Sequence, residues 1–156
     1  MLPPDSLGPS HPKLVLYLPH RPNGLEQFRD RPSAQALVAA NSNHWRKIVT
    51  LLAKITCPVA NDWRTFKDDA LFQHTALCFA PQIGDLPVWH WIGGKDNLQR
   101  FEFLQHQAQP LADAPEVLVD TSKRLLLTPY PDYRQLSNRL VGLIRTALGA
   151  EGFYDH

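Results

Sequence analysis

The sequence has few of the residues that mark specialised protein classes. Its 156 residues include only two cysteines, one methionine and eight glycines. The cysteines, Cys57 and Cys78, are too far apart for a C-x-x-C pair, and two thiols alone form neither a disulfide scaffold nor a zinc motif. Without a recognisable export signal, we expect two buried free thiols in a reducing compartment.

Long apolar runs are also missing. No run approaches the roughly 20 residues that cross a bilayer as a helix. The segment MLPPDSLGPSHP lacks the basic and apolar regions of a secretory signal. The sequence therefore predicts a soluble, cytoplasmic protein without membrane contact, in which residues 1–12 form a flexible tail.

An excess of charge of one sign is absent as well. Sixteen basic and 15 acidic residues give a formal net charge of +1. Dedicated duplex-binding proteins usually carry a marked basic excess, because phosphate contacts supply much of their affinity. We therefore predict that nucleic acid is an unlikely partner, although a local basic patch is compatible with a neutral total.

Motifs for metals, cofactors and nucleophilic catalysis do not occur. The seven histidines include no H-x-x-x-H pair, and neither G-x-S-x-G nor a complete phosphate-binding glycine motif is present. The sequence predicts no metal site and no cofactor.

Strand and helix patterns alternate along the chain. Five runs rich in β-branched, aromatic or leucine residues predict strands: 13–19, 75–81, 88–94, 116–120 and 124–130. Residues 32–55 predict either one helix or two helices with a break near Ser42. Further helices are predicted from Asn61 or Asp62, from Asp96 as N-cap, and from Asp132 as N-cap to a left-handed cap at Gly149.

This order predicts a single α/β domain over residues 13–149, followed by a C-terminal tail over 150–156. The sheet is expected to be mixed, with about five strands and helices packed on it. Short connections at 82–87 and 121–123 favour at least one antiparallel pair. An α+β two-layer sandwich is the alternative.

The segment VWHWIGGKDN, residues 88–97, is the first candidate site. Alternation along a strand places Trp89 and Trp91 on one face and His90 on the other. Gly93 and Gly94 then lead to Lys95 at the start of a helix, where free backbone N–H groups are suited to an anion. A plain strand-to-helix turn, with a structural His90, is the alternative interpretation.

The segment TPYPDYRQ, residues 128–135, is the second candidate site. Its Tyr130 is placed to stack on a ligand, and its Arg134 to bind a carboxylate through two hydrogen bonds. The alternative is a rigid turn that leads into a helix. Aromatic and basic residues are also interleaved in NHWRK and NDWRTFK, but neighbouring residues on a helix point in different directions.

From these patterns we predict a binding module for a protein partner or a small anionic ligand. Its binding surface would be formed by Trp89, Trp91 and the strand ends, and self-association is consistent with the many aromatic residues. One alternative is an enzyme acting on a phosphorylated or carboxylated substrate, with His90 as acid or base. The amides near Gly93 and Gly94, Lys95, Tyr130 and Arg134 would complete its site. A second alternative is single-stranded nucleic-acid binding.

Overall fold

Seven strands form one sheet in the computed structural model, which describes residues 5–155. Their bounds are β1 Ser6–Leu7, β2 Leu14–Tyr17, β3 Thr75–Cys78, β4 Trp89–Gly93, β5 Gln109–Leu111, β6 Ala114–Asp120 and β7 Leu125–Thr128. The helices of the described residues are α1 Leu25–Phe28, α2 Ala34–Ala39, α3 Asn43–Thr56, α4 Trp63–Asp69, α5 Leu71–His74, α6 Lys95–Gln99 and α7 Asn138–Ala150, with a 3₁₀ turn at Ala60–Asp62.

The sheet has the order β1-β3-β2-β4-β7-β6-β5. Strands β3, β2, β4 and β7 are mutually parallel, whereas β1, β6 and β5 run antiparallel to their neighbours β3, β7 and β6. The predicted α/β domain with a mixed sheet is confirmed. Its two additional strands, β1 and β5, are the two edges of the sheet.

Both faces of the central strands are covered. Helices α2, α3, α4 and α7 pack on the face that contains Trp91, and α3 contributes nine buried residues to this layer. The opposite face holds a smaller cluster around Tyr17, Ile92 and Phe101. A parallel sheet covered on both faces is the usual α/β arrangement, and it leaves its central strands fully buried.

The expected antiparallel pair is present, but at only one of the two short connections. Strands β3 and β4 do not pair with each other, because both pair with β2 from opposite sides, so the 82–87 connection makes no hairpin. The 121–123 connection does join an antiparallel pair, β6 and β7. Residues 32–55 form two helices, α2 and α3, which resolves the alternatives left open by the sequence.

The predicted helix boundaries at Asp96, Asp132 and Gly149 are also wrong. Helix α6 has Gly94 as its N-cap and ends at Gln99. The N-cap of α7 is Ser137, and Asp132 instead accepts a hydrogen bond from the Arg134 N–H in a turn. Gly149 lies inside α7, and Gly152 has the positive φ of 78°. Each prediction correctly identified a helix. The residue chosen as its cap was wrong, because several polar or glycine residues lie near each helix end.

The structure describes parts of both predicted tails, residues 5–12 and 150–155. Leu7 is 2% exposed, and its strand β1 pairs with β3. At the other end, Phe153 is 5% exposed and the Tyr154 hydroxyl donates to the carbonyl of Ile55 at 2.6 Å. Both segments therefore pack on the domain. Residues 1–4 and 156 of the predicted tails lie outside the described residues.

The predictions about membrane-spanning helices and about the two cysteines can be compared with the described residues. No helix within residues 5–155 is long and apolar enough to cross a membrane. Cys57 and Cys78 are free and buried, as predicted, and burial raises the pKa of both thiols. Neither thiol is therefore activated as a nucleophile.

Candidate functional site

The carboxyl ends of four parallel strands, β2, β3, β4 and β7, lie along one edge of the sheet. After β2 the chain forms helices that pack on the Trp91 face, whereas after β4 it leads to Leu98 and Phe101 on the Tyr17 face. Because adjacent strands β2 and β4 are followed by segments on opposite faces, a crevice opens between their carboxyl ends. Open α/β sheets usually bind their ligands in such a crevice.

A cleft of about 470 Å³ lies at this edge. We call it the edge cleft. It is lined by Pro19, Gly94, Lys95, Asp96, Asn97, Arg100, Tyr130 and Gln135. Two of its side chains are cationic and one is a carboxylate, so the lining carries one excess positive charge. A smaller cavity of about 310 Å³ lies beside it and shares Pro19 and Arg100.

Asn97 and Arg100 build the floor of the crevice. The Asn97 amide donates to the carbonyls of Tyr17, at 2.8 Å, and Gly93, at 3.2 Å. The Arg100 guanidinium donates to the Asn97 side-chain oxygen at 2.8 Å and to the carbonyls of Leu18 and Phe79. Three of its five N–H donors are thus used. Within residues 5–155 no carboxylate pairs with Arg100, so its charge remains available to a ligand.

Two imidazoles converge on one phenol next to the edge cleft. The Tyr130 hydroxyl lies 2.9 Å from Nε2 of His44 and 3.4 Å from Nε2 of His20. His20 follows β2, His44 lies in the first turn of α3, and Tyr130 follows β7. Because a phenol has one proton, it donates to one imidazole and accepts from the other. The three rings therefore form a hydrogen-bonded chain.

Electrostatics favours the neutral forms of two members of this chain. Desolvation lowers the pKa of His20, and the nearby His44 and Arg100 lower it further. Burial raises the pKa of the Tyr130 phenol, and the Asp132 carboxylate adds to this effect. At neutral pH the lowered pKa of His20 favours its neutral imidazole, and the raised pKa of Tyr130 keeps the phenol protonated.

Gly93 and Gly94 position Tyr130 against the end of β4. A Cβ on Gly93 would lie 2.7 Å from Cδ of Pro131, and a Cβ on Gly94 would lie 3.1 Å from Cδ2 of Tyr130. Gly94 also has a φ of 99°, which side chains rarely adopt. The twin glycines thus allow close packing of the 129–131 segment. They do not form an anion cradle, because the Gly94 N–H already donates to the Thr128 carbonyl at 2.9 Å.

The structure brings only some of the predicted site residues together. Gly94, Lys95 and Tyr130 all line the edge cleft. Gly93 is buried beneath the turn, and Arg134 is exposed outside the cleft lining. The two segments that the sequence singled out are therefore neighbours, since β4 pairs with β7.

The predicted tryptophan surface is wrong. Trp89 is 5% exposed and Trp91 is fully buried, with its indole N–H donating to the Thr128 hydroxyl at 2.7 Å. His90 is buried on the other face. Its Nδ1 lies 2.8 Å from the Tyr17 hydroxyl and its Nε2 lies 3.1 Å from the Leu86 carbonyl. With both nitrogen atoms engaged, His90 is structural and cannot reach a substrate.

Sequence reasoning missed four residues at the edge: His20, His44, Asn97 and Arg100. His20 gave a usable signal, because it directly follows a predicted strand and such positions meet at one edge of a parallel sheet. His44 lies one residue into a helix whose start was already proposed near Ser42. Asn97 and Arg100 gave no signal, since polar residues in a short helix are common.

Together these features define an α/β protein with a polar, mildly cationic cleft at the switch point of its parallel strands. The chain belongs to a family of unknown function, DUF6942, whose model matches residues 5–149. No curated protein and no solved structure matches this chain.

Proposed function

We propose that this protein binds a small ligand carrying a phosphate or carboxylate group in the edge cleft. The observation that carries the proposal is the convergence of Arg100, Tyr130 and two imidazoles at the crevice between β2 and β4. Convergent polar groups in a concave site at a switch point are typical of ligand-binding sites in α/β proteins.

Charge favours an anion over a neutral ligand. Lys95 is exposed at the cleft, and no partner for its ammonium group occurs among the described residues. Among the described residues, two N–H donors of Arg100 have no partner. They lie in a planar arrangement suited to carboxylate or phosphate oxygens. Asp96 opposes one of these charges, which favours a ligand with a single anionic group and a neutral remainder.

The test is a titration followed by ¹H–¹⁵N NMR with inorganic phosphate, acetate and adenosine monophosphate, and with glucose as the neutral comparison. We expect shifts at Lys95, Tyr130 and the Arg100 Nε–H for the anions alone. Replacing Lys95 by Gln is expected to weaken binding about fivefold, the effect of an exposed charge worth ~1 kcal/mol.

The matched control is Arg31→Gln, which removes an exposed positive charge outside the cleft lining. It should leave the affinity unchanged. If both substitutions weakened ligand affinity equally, the effect of Lys95 would be general electrostatic attraction. NMR shifts spread over the whole surface would contradict binding in the edge cleft.

The His20–Tyr130–His44 chain favours an enzyme as the second candidate function. A neutral imidazole beside a protonated phenol provides a base and an acid within one hydrogen-bonded unit. We expect turnover of a phosphorylated or carboxylated compound in an NMR-monitored substrate panel, with loss of turnover in His44→Gln. His106→Gln, outside this chain, should retain activity; equal activity in both variants would contradict this role.

A further inference from the structure

A row of cations and aromatic rings extends from the edge cleft along the exposed side of α3. We name it the cation–aromatic strip, and it consists of Lys47, Lys54, Trp63, Arg64, Lys67 and Tyr133. It begins one helical turn after His44, since residues three apart are neighbours on a helix surface. From His44 to Lys54 the helix rises about 15 Å.

Tyr133 forms the first half of the strip. Lys47 and Lys54 are seven residues apart, which places them on the same side of α3. Their ammonium groups lie 5.7 and 5.9 Å from the centre of the Tyr133 ring. Tyr133 is 41% exposed, so the ring is accessible to a ligand.

Trp63 forms the second half. The Lys54 ammonium lies 4.9 Å from the indole centre, the Arg64 guanidinium carbon 4.4 Å and the Lys67 ammonium 5.6 Å. Lys54 therefore contacts both rings and joins the two halves. The Lys54 contact joins α3 to α4, whereas Arg64 and Lys67 belong to α4 itself and place two further cations beside the indole.

The cations of the strip form few ion pairs. Among the described residues its single ion pair joins Lys47 to Asp132, at 3.4 Å. Lys54, Arg64 and Lys67 have no carboxylate within 4 Å in that part of the chain. The net charge of +1 hid this arrangement. Asp62, Asp68 and Asp69 flank it along the chain, but none of them forms an ion pair with the strip among the described residues.

We propose that the strip binds single-stranded nucleic acid, and that one phosphate of the strand occupies the edge cleft. This second part rests on the proposed function. Alternating rings and cations suit a strand whose bases stack while its phosphates are neutralised. An acidic peptide would use the cations but has no general need for the exposed Tyr133 ring or the half-buried Trp63 ring, so the strip favours nucleic acid.

Fluorescence anisotropy with labelled 12-residue oligothymidylate and oligouridylate tests this inference. Four neutralised phosphates, at Lys54, Arg64, Lys67 and the edge cleft, predict a slope of about −3 for log affinity against log salt. Binding is then expected to be roughly 50-fold weaker at 200 mM than at 50 mM salt. Tyr133→Ala should weaken binding about 5- to 100-fold, the range for losing one stacked base.

Two further variants separate stacking from charge and from folding. Trp63→Phe keeps a ring and should retain most of the affinity, whereas the double change Lys54→Gln and Lys67→Gln should reduce the salt slope by about 1.4. The matched controls are Phe103→Ala, which removes a ring 93% exposed elsewhere, and Lys13→Gln, which removes a cation 4.9 Å from the centre of the Phe153 ring. Both controls should bind like the native protein.

The outcomes distinguish this inference from the proposed function. Phosphate binding that depends on Lys95, without oligonucleotide binding at 50 mM salt, overturns the nucleic-acid inference alone. Absence of both overturns both proposals. The inference is also overturned if poly-glutamate displaces the oligonucleotide completely and Tyr133→Ala leaves oligonucleotide affinity unchanged. That result would assign the strip to an acidic protein partner. Loss of oligonucleotide affinity in both Tyr133→Ala and Lys95→Gln supports it.

Discussion

His90 shows what a buried histidine contributes at the scale of one residue. Its Nδ1 and Nε2 are both hydrogen-bonded, and its ring lies 5.7 Å from the ring of Tyr17. Burial lowers the pKa of His90, with only partial opposition from the Leu86 carbonyl. The fold therefore stabilises the neutral form of the His90 imidazole relative to its charged form.

This difference predicts a pH-dependent stability. An unfolded chain takes up a proton at His90 near the ordinary pKa of 6.5, before the folded protein does. The stabilisation is complete above that pH and is lost as the pH falls from about 6.5 towards the lower pKa of the folded state. We expect the unfolding free energy, measured in urea, to fall between pH 7 and pH 5.

The His90→Gln variant removes this titration and should show a smaller fall over the same interval. His11→Gln changes an exposed histidine and should behave like the native protein. If the native protein and His90→Gln lost the same free energy, the buried imidazole would not be a source of the pH dependence.

The sequence predicts to which face of the sheet each side chain of β4 points. It does not predict what packs against either face. Alternation correctly separated Trp91 from His90. It could not show that both faces are covered, because coverage depends on helices far away in the chain. A site was therefore placed on tryptophans that the fold buries.

Two serines illustrate capping at the scale of a helix. Ser137 is the N-cap of α7, and its hydroxyl accepts a hydrogen bond from the Leu140 N–H at 3.4 Å. Ser42 is the N-cap of α3 and has the same extended backbone, but its side chain makes no capping bond. The two N-caps thus share residue type and backbone geometry, but only Ser137 makes a side-chain capping hydrogen bond.

We therefore expect Ser137→Ala to destabilise the protein by about 0.5–1 kcal/mol, and Ser42→Ala to cost clearly less. Urea unfolding of both variants measures the difference, since an N-cap hydroxyl satisfies an otherwise unpaired N–H group. Equal losses would mean that the hydroxyl bond at Ser137 is too long to contribute.

Elements with a strong periodic pattern were predicted well, and short elements were not. The apolar spacing of Ile48, Leu51, Leu52 and Ile55 identified α3, and the leucine-rich runs identified β2 and β7. Strands β1 and β5 have two and three residues, too few for any alternation to be visible. After Gly94, Phe101 and Leu104 continue the apolar spacing of Leu98 but pack from a loop, so this spacing does not show where α6 ends.

At the scale of the whole molecule, the candidate site depends on contacts between distant segments. His44 and Tyr130 are 86 residues apart, and His20 and Tyr130 are 110 apart. No local pattern connects such positions. Strand order does, because β2, β4 and β7 are neighbours, and that order follows from global packing rather than from any one segment.

The N-terminal segment provides a test of how far the cooperative unit extends. Leu7 is packed in the main core, the N–H of Phe79 donates to the Asp5 carbonyl at 2.9 Å, and β1 completes one edge of the sheet. Truncating a buried leucine removes apolar burial and leaves a cavity. We expect Leu7→Ala to lower the unfolding free energy by about 2–4 kcal/mol.

The control is Val59→Ala, which truncates an apolar side chain that is 57% exposed and should change stability by no more than about 0.5 kcal/mol. Native-state hydrogen exchange gives a second measurement, because amides of β1 and β3 that belong to one cooperative unit are protected to a similar degree. Fast exchange in β1, combined with native stability in Leu7→Ala, would mean that this strand docks late and reversibly. Similar protection would instead show that the domain includes the segment before residue 13, because the edge strand and the core beneath it then unfold together.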